Sequence, residues 1–215
     1  MNKKMEKKQD KIKDLEGFFG TVKSMFMLVL VSLFLSCCTN LKEDNMSEDE
    51  LDDIELNSPV IQTPEPLIYL ADNLDEQDKL GWCIDTQGIG FNETLHAHSC
   101  KPTGGDVQFY YNEETRQICS AEYADFCIEM TGGPVEGMTL SLINSDTDSP
   151  EQKFNYDIES GEFRPEADDT LCLAVGTTSV VAGSYMSRSL SLESVANTEE
   201  SLKKWVIAGT GPNTN

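Results

Sequence analysis

Trp82-Cys83-Ile84 returns 44 residues later as Phe126-Cys127-Ile128, and 45 residues after that as Leu171-Cys172-Leu173. A second anchor follows each of these: Leu95-His-Ala-His-Ser99, Leu140-Ser-Leu-Ile-Asn144 and Leu190-Ser-Leu-Glu-Ser194. A third closes each unit. Asp106-Val-Gln-Phe109-Tyr-Tyr-Asn aligns with Glu151-Gln-Lys-Phe154-Asn-Tyr-Asp and with Leu202-Lys-Lys-Trp205-Val. Three anchors, in the same order, in three copies define an internal repeat of about 45 residues. A unit that short cannot close a core alone, so the three must share one.

From Leu67 onward the chain is rich in aromatics, glycines and short β-prone runs, with turn residues every ten or so positions. No long stretch carries helical periodicity, so the fold class is all-β. The order Cys-x-Asp, apolar-x-x-x-x-Cys, then Gln-x-Trp or Gln-x-Phe followed by a turn resembles the ricin B-type lectin module. The resemblance covers about Leu67 to Ile207 and implies a β-trefoil of twelve strands in three pseudo-symmetric subdomains, here about 67–117, 118–162 and 163–207 within a domain of 67–210. The signature is degenerate. Only the second copy keeps Gln152-x-Phe154; the first has Val107 for the glutamine, and the third has Lys203 before Trp205.

In that family each subdomain can hold a shallow sugar pocket. An acid two positions after the first cysteine accepts from hydroxyls, and an aromatic two positions before the second cysteine stacks on the ring. A polar residue before Gln-x-Trp adds further bonds. A pyranose has a C–H face that suits an aromatic plane and a hydroxyl edge that suits carboxylates. Carried over residue by residue, the first copy has Asp85, His98 and Asp106, with His96 as a further polar residue and Asn92 at the rim. The second has Glu129 but Ile143 at the stacking position. The third has Ala174 and Glu193. The expected carbohydrate site is therefore Asp85, Asn92, His96, His98 and Asp106 of the first repeat. The resemblance also implies a Cys83–Cys100 disulfide. Cys119 and Cys127 flank the short connection AEYADF and are read as bridging adjacent strands. Cys172 faces Val195 where a partner would be, which leaves it as a small apolar residue.

Working outward, Thr39 to about Pro66 is acidic and then proline-rich, without an aromatic residue, and reads as a disordered spacer. Before it, seven lysines in residues 1–24 precede the apolar run Met25 to Ser36. That run is shorter than the ~20 residues a spanning helix needs, and it matches a signal-peptide core. It ends at Ser36-Cys37-Cys38, which resembles a bacterial lipoprotein signal with Cys37 as the lipidated residue. A plain secretory signal and an uncleaved anchor are the other readings of this segment, and Met25 is an alternative start. The expected organisation is a signal peptide at 1–36, a lipid-anchored acidic linker at 37–66 and the trefoil at 67–210.

The chain has 215 residues, seven cysteines and a formal net charge of −22. Such a polyanion is repelled by phosphate backbones, so nucleic acid is not an expected partner. The cysteines fit an exported protein in an oxidising compartment. No nucleophile elbow, H-E-x-x-H or glycine-rich phosphate loop is present, so no enzyme activity and no cofactor are expected. His96 and His98 share one face of a strand, as metal ligands would, but these are the only two histidines and no further ligand motif accompanies them, so no metal is expected. Two functional readings remain. One is a lectin on the periplasmic or extracellular face, with a glycan or glycoconjugate as partner. The other is a trefoil scaffold that contacts an envelope protein and binds no sugar.

Overall fold

The computed structural model describes residues 57–211. The signal segment, Cys37 and most of the acidic linker lie outside the described residues. Fourteen strands and two short 3-10 turns make up the domain. The first repeat holds β1 (Leu67–Leu70), β2 (Trp82–Thr86), β3 (Leu95–Ser99) and β4 (Phe109–Asn112). The second holds β5 (Gln117–Ser120), β6 (Phe126–Glu129), β7 (Ser141–Asn144) and β8 (Phe154–Asp157). The third holds β9 (Glu162–Pro165), β10 (Leu171–Val175), β13 (Leu190–Ser194) and β14 (Trp205–Ala208). An additional hairpin, β11 (Val180–Ala182) and β12 (Tyr185–Arg188), is inserted between β10 and β13.

Pairing across repeat boundaries builds the barrel: β1 with β14, β4 with β5, and β8 with β9, all antiparallel. The hairpins β2–β3, β6–β7 and β10–β13 cap it. This is the β-trefoil arrangement that the repeats imply, with one hairpin added.

The period-2 alternation of each strand sends one set of side chains inward, and the repeats place equivalent residues around one axis. Ile68, Ile118 and Phe163 form one buried set, and Ile84, Ile128 and Leu173 a second. Leu95, Leu140 and Leu190 form a third, and Phe109, Phe154 and Trp205 a fourth. All belong to a single core, which no repeat could enclose alone. Buried polar handles tie the repeats together. Tyr111 donates its hydroxyl to the Phe154 carbonyl (2.8 Å), and Tyr156 to the Trp205 carbonyl (3.0 Å). The third repeat has Ile207 at this position.

One expectation needs correcting. Asn57 to Pro66, read as the end of a disordered spacer, is seated on the domain. Thr63 is buried, and Ile61 packs on a satellite cluster of Leu67, Cys83, Cys100 and Val107. The Val60 amide donates to the Lys79 carbonyl (2.6 Å), and Gln108 donates to the Pro64 carbonyl (3.0 Å). The prolines restrict the chain before it docks, which lowers the ordering cost that the acidic stretch before it would face in full. The approach is close. A Cβ on Gly81, itself at φ 79°, would stand 2.7 Å from Pro59.

Candidate functional site

β2 and β3 pair in register, with Cys83 opposite His98 and Asp85 opposite His96. Because Trp82, Ile84, Leu95 and Ala97 face the core, these four residues share the outer face of the hairpin. The Cys83–Cys100 disulfide then anchors the start of the 101–108 loop beside that face. The loop brings in Lys101, which binds two acids at once. Its Nζ lies 2.8 Å from Asp85 Oδ2 and 2.7 Å from Asp106 Oδ1. Asp85 Oδ2 is also 3.6 Å from His96 Nε2 and 3.7 Å from His98 Nδ1.

Four of the five residues expected at the site are thus gathered within one charged cluster. Asn92 is the exception: its side-chain oxygen accepts from the Thr94 amide (2.9 Å) and shapes the β2–β3 loop. The sequence reading missed Lys101, which lies between the repeated anchors and has no counterpart in the other copies. Asp85 is only 1% exposed, whereas the side chains of His96, Lys101 and Asp106 are 15–17% exposed. The cluster therefore presents Lys101 and one carboxylate outward, with the other carboxylate and His96 Nε2 beneath them.

Its electrostatics follow from that layering. Burial pushes the Asp85 carboxyl up, but the neighbouring His96 and the Lys101 charge outweigh it, so the group is held below the usual carboxylate range. Burial pushes Lys101 down, and the two carboxylates more than reverse this. His98 moves the other way. Burial lowers its pKa, and the Ser99 carbonyl (3.0 Å from Nδ1) and Asp85 only partly oppose that shift. Asp85 and Lys101 are charged at neutral pH, and His98 is neutral.

An aromatic wall that the sequence did not assign lies alongside. Tyr123, in the β5–β6 connection of the second repeat, sits beside Thr86 and in the field of Asp106 and Asp85; burial and these carboxylates raise its pKa. Phe91, 46% exposed on the β2–β3 loop, meets the Tyr123 ring edge-on at 5.3 Å and Phe126 at 4.7 Å. The Cys119–Cys127 disulfide ties the two ends of the connection that carries Tyr123. Tyr123 has no equivalent in the family pattern, so no motif could have pointed to it.

The other repeats differ. In the second, Glu129 accepts from the buried Gln152 (3.0 Å), which also donates to the Asn144 carbonyl and accepts from Gln117 and the Asp146 amide. In the third, Ala174 and Leu202 occupy the places of Asp85 and Asp106. A concavity of about 370 Å³ lies there between β10, β13 and the 197–202 turn, lined by Val175, Glu193, Thr198 and Leu202 among others.

The sequence matches no family profile and no curated protein. Solved structures do resemble the domain. The mdaA-1 domain superposes with a TM-score of 0.50 at 10% identity, covering 69% of this chain and 95% of that one. The C-half of the earthworm R-type lectin, in complex with GalNAc, gives 0.47 at 15% identity over 66% of this chain and 98% of its own. The β-trefoil lectin of the Vibrio vulnificus hemolysin/cytolysin, with N-acetyl-D-lactosamine bound, gives 0.46 at 12% identity over 69% and 96%. At such identities the likeness is one of fold.

Proposed function

We propose that this chain is a non-catalytic carbohydrate-binding lipoprotein of the cell envelope, which holds a galactose- or N-acetylgalactosamine-like glycan at the first repeat. One observation carries the reading: Asp85, His96, His98, Lys101 and Asp106 converge beside the Tyr123–Phe91 wall. Lys101 can donate to sugar hydroxyls, Asp106 can accept from them, and an aromatic face can cover the C–H side of the ring. Charge-assisted bonds of this kind set orientation, and the ring contact adds apolar area. A single shallow site gains useful avidity when many copies share a surface, and a lipid at Cys37 would provide that. Two disulfides fit an exported domain. Among the described residues no helix is long and apolar enough to cross a membrane.

Titration calorimetry with galactose and N-acetylgalactosamine tests the site. The wild type should bind with weak affinity, and Asp106→Ala should lose about tenfold or more, the worth of one charged hydrogen bond. Absence of binding by the wild type would sink the reading. One feature favours the scaffold alternative: Lys101 is already ion-paired with both carboxylates without any ligand. An envelope partner captured by a wild-type chain that is inert toward both sugars would establish it.

A further inference from the structure

The β11–β12 hairpin has no counterpart in the other two repeats among the described residues. It leaves the third repeat and pairs with β3 of the first, Ser187 opposite His98 and Arg188 opposite Ala97. It therefore widens the sheet that carries the proposed sugar site. Alternation fixes which residues join that face. Ser187 lies beside His98, Tyr185 two positions back lies on the same side, and Val180 and Ala182 pair across from them.

The result is a file of three rings along one surface. The Tyr185 ring lies 5.5 Å from His98, and His98 lies 5.4 Å from His96. Tyr185 is half-buried, and Val180 beyond it is 59% exposed. From Gly176 to Ser187 there is no charged residue, in a chain that is 25% charged. An uncharged strip with an aromatic ring thus extends away from a polar, charged cluster.

The hairpin is held rigidly. Met186 packs in the core, and its backbone amide donates to Ser99 Oγ (3.0 Å). The buried Arg188 guanidinium lies 4.9 Å over the Trp82 ring, pairs with Asp75 and donates to the Gly176 carbonyl (2.5 Å). Ser179 adds a second bond to Asp75 (2.5 Å). Such a surface needs little ordering when a ligand arrives.

We infer that Tyr185 and the β11–β12 hairpin form a second sugar subsite, so that the ligand class is an extended oligosaccharide lying across β3 and β12 rather than a single sugar. This rests on the proposed glycan site and names its substrate class. The terminal sugar occupies the charged cluster, and the next one covers Tyr185, with Ser187 and the uncharged hairpin beside it.

The test compares galactose with a galactose-terminated linear tetrasaccharide by titration calorimetry, on the wild type, Tyr185→Ala and Tyr185→Phe. The wild type should bind the tetrasaccharide up to about tenfold more tightly than galactose, the range of one aromatic contact. Tyr185→Ala should abolish that difference and leave galactose affinity unchanged, and Tyr185→Phe should retain it. Equal wild-type affinities for the two ligands would overturn the subsite while leaving the first-repeat site standing. So would a Tyr185→Ala loss shared equally by both, which marks a merely structural tyrosine. No binding of either sugar would overturn the site and the subsite together.

Discussion

The first and third repeats share a backbone plan but invert where they keep their charge. In the first, the residues beneath the outer face are apolar: Leu67 and Val107 pack with the Cys83–Cys100 disulfide. The charged trio Asp85, Lys101 and Asp106 lies above them. In the third, the equivalents of Leu67 and Val107 are Glu162 and Lys203, a buried pair at 3.1 Å. The equivalents of Asp85 and Asp106 are Ala174 and Leu202. Cys172 sits beside the buried ions as a free thiol, pushed up to about 11 by burial and by Glu162. The second repeat is intermediate, with a hydrogen bond of 2.7 Å from the Gln117 side-chain amide to the Gln152 side-chain oxygen at the same position. The trefoil thus requires that this pair be satisfied, and accepts apolar, amide or ionic chemistry to do it. What changes is which side of the hairpin keeps charge available to a ligand.

The sharpest way to break this contrast is to strand one buried ion. Lys203→Met leaves Glu162, 4% exposed, with Arg164 alone, which holds Oε2 at 2.5 Å. Urea denaturation should show a loss of about 3 to 4 kcal/mol, toward the lower part of the range for a broken buried pair because Arg164 remains. The double variant Glu162→Leu with Lys203→Val writes the first repeat's chemistry into the third. It should recover to within about 1 kcal/mol of the wild type. If the double variant stays as unstable as the single one, the two pairs are not interchangeable.

Next in size is the disulfide contrast. Cys83 and Cys100 are 17 residues apart, and Cys119 and Cys127 are 8 apart. Chain-entropy reasoning gives losses of about 3 and about 2.5 kcal/mol when each pair is replaced by alanine. Cys172→Ala, which loses no disulfide but only a weak thiol bond to the Glu193 carbonyl (3.6 Å), should cost less than either. Denaturation of the three variants under one set of conditions checks the order. A Cys172→Ala loss equal to that of a disulfide pair would mean that the thiol packs more tightly than its place in the repeat suggests.

How far this was legible in the sequence varies with distance from the anchors. The barrel and caps were readable because Ile84, Ile128 and Leu173, and later Phe109, Phe154 and Trp205, occupy equivalent core positions that apolarity alone constrains. The cluster around Asp85 was readable because a cysteine marks the second strand of each repeat. The β11–β12 hairpin was not. It falls after Cys172, beyond the last cysteine interval, so the 44- and 45-residue spacings never cross it. Lys101 and Tyr123 were missed for a related reason: each acts across a loop whose path no periodicity specifies.

The smallest expected effect belongs to the first repeat alone and separates it from the third by pH. Burial holds His98 below its ordinary pKa, so the unfolded chain binds this proton more readily than the fold does. The stability that neutral His98 contributes is fully present above about pH 6.5, and it is lost as pH falls through the lower folded value. The carboxylates follow later. Asp85 and Glu162 are both held down in the fold, Asp85 by His96 and Lys101 and Glu162 by Arg164 and Lys203, in each case against burial. Their contributions are lost only below about pH 4. Mild acid should therefore weaken the first repeat before the third. Urea midpoints from pH 8 to pH 5 should drift downward in the wild type and stay flatter in His98→Phe, which keeps a ring against Tyr185 and removes the titration. A drift that survives unchanged in His98→Phe would show that His98 is not its source.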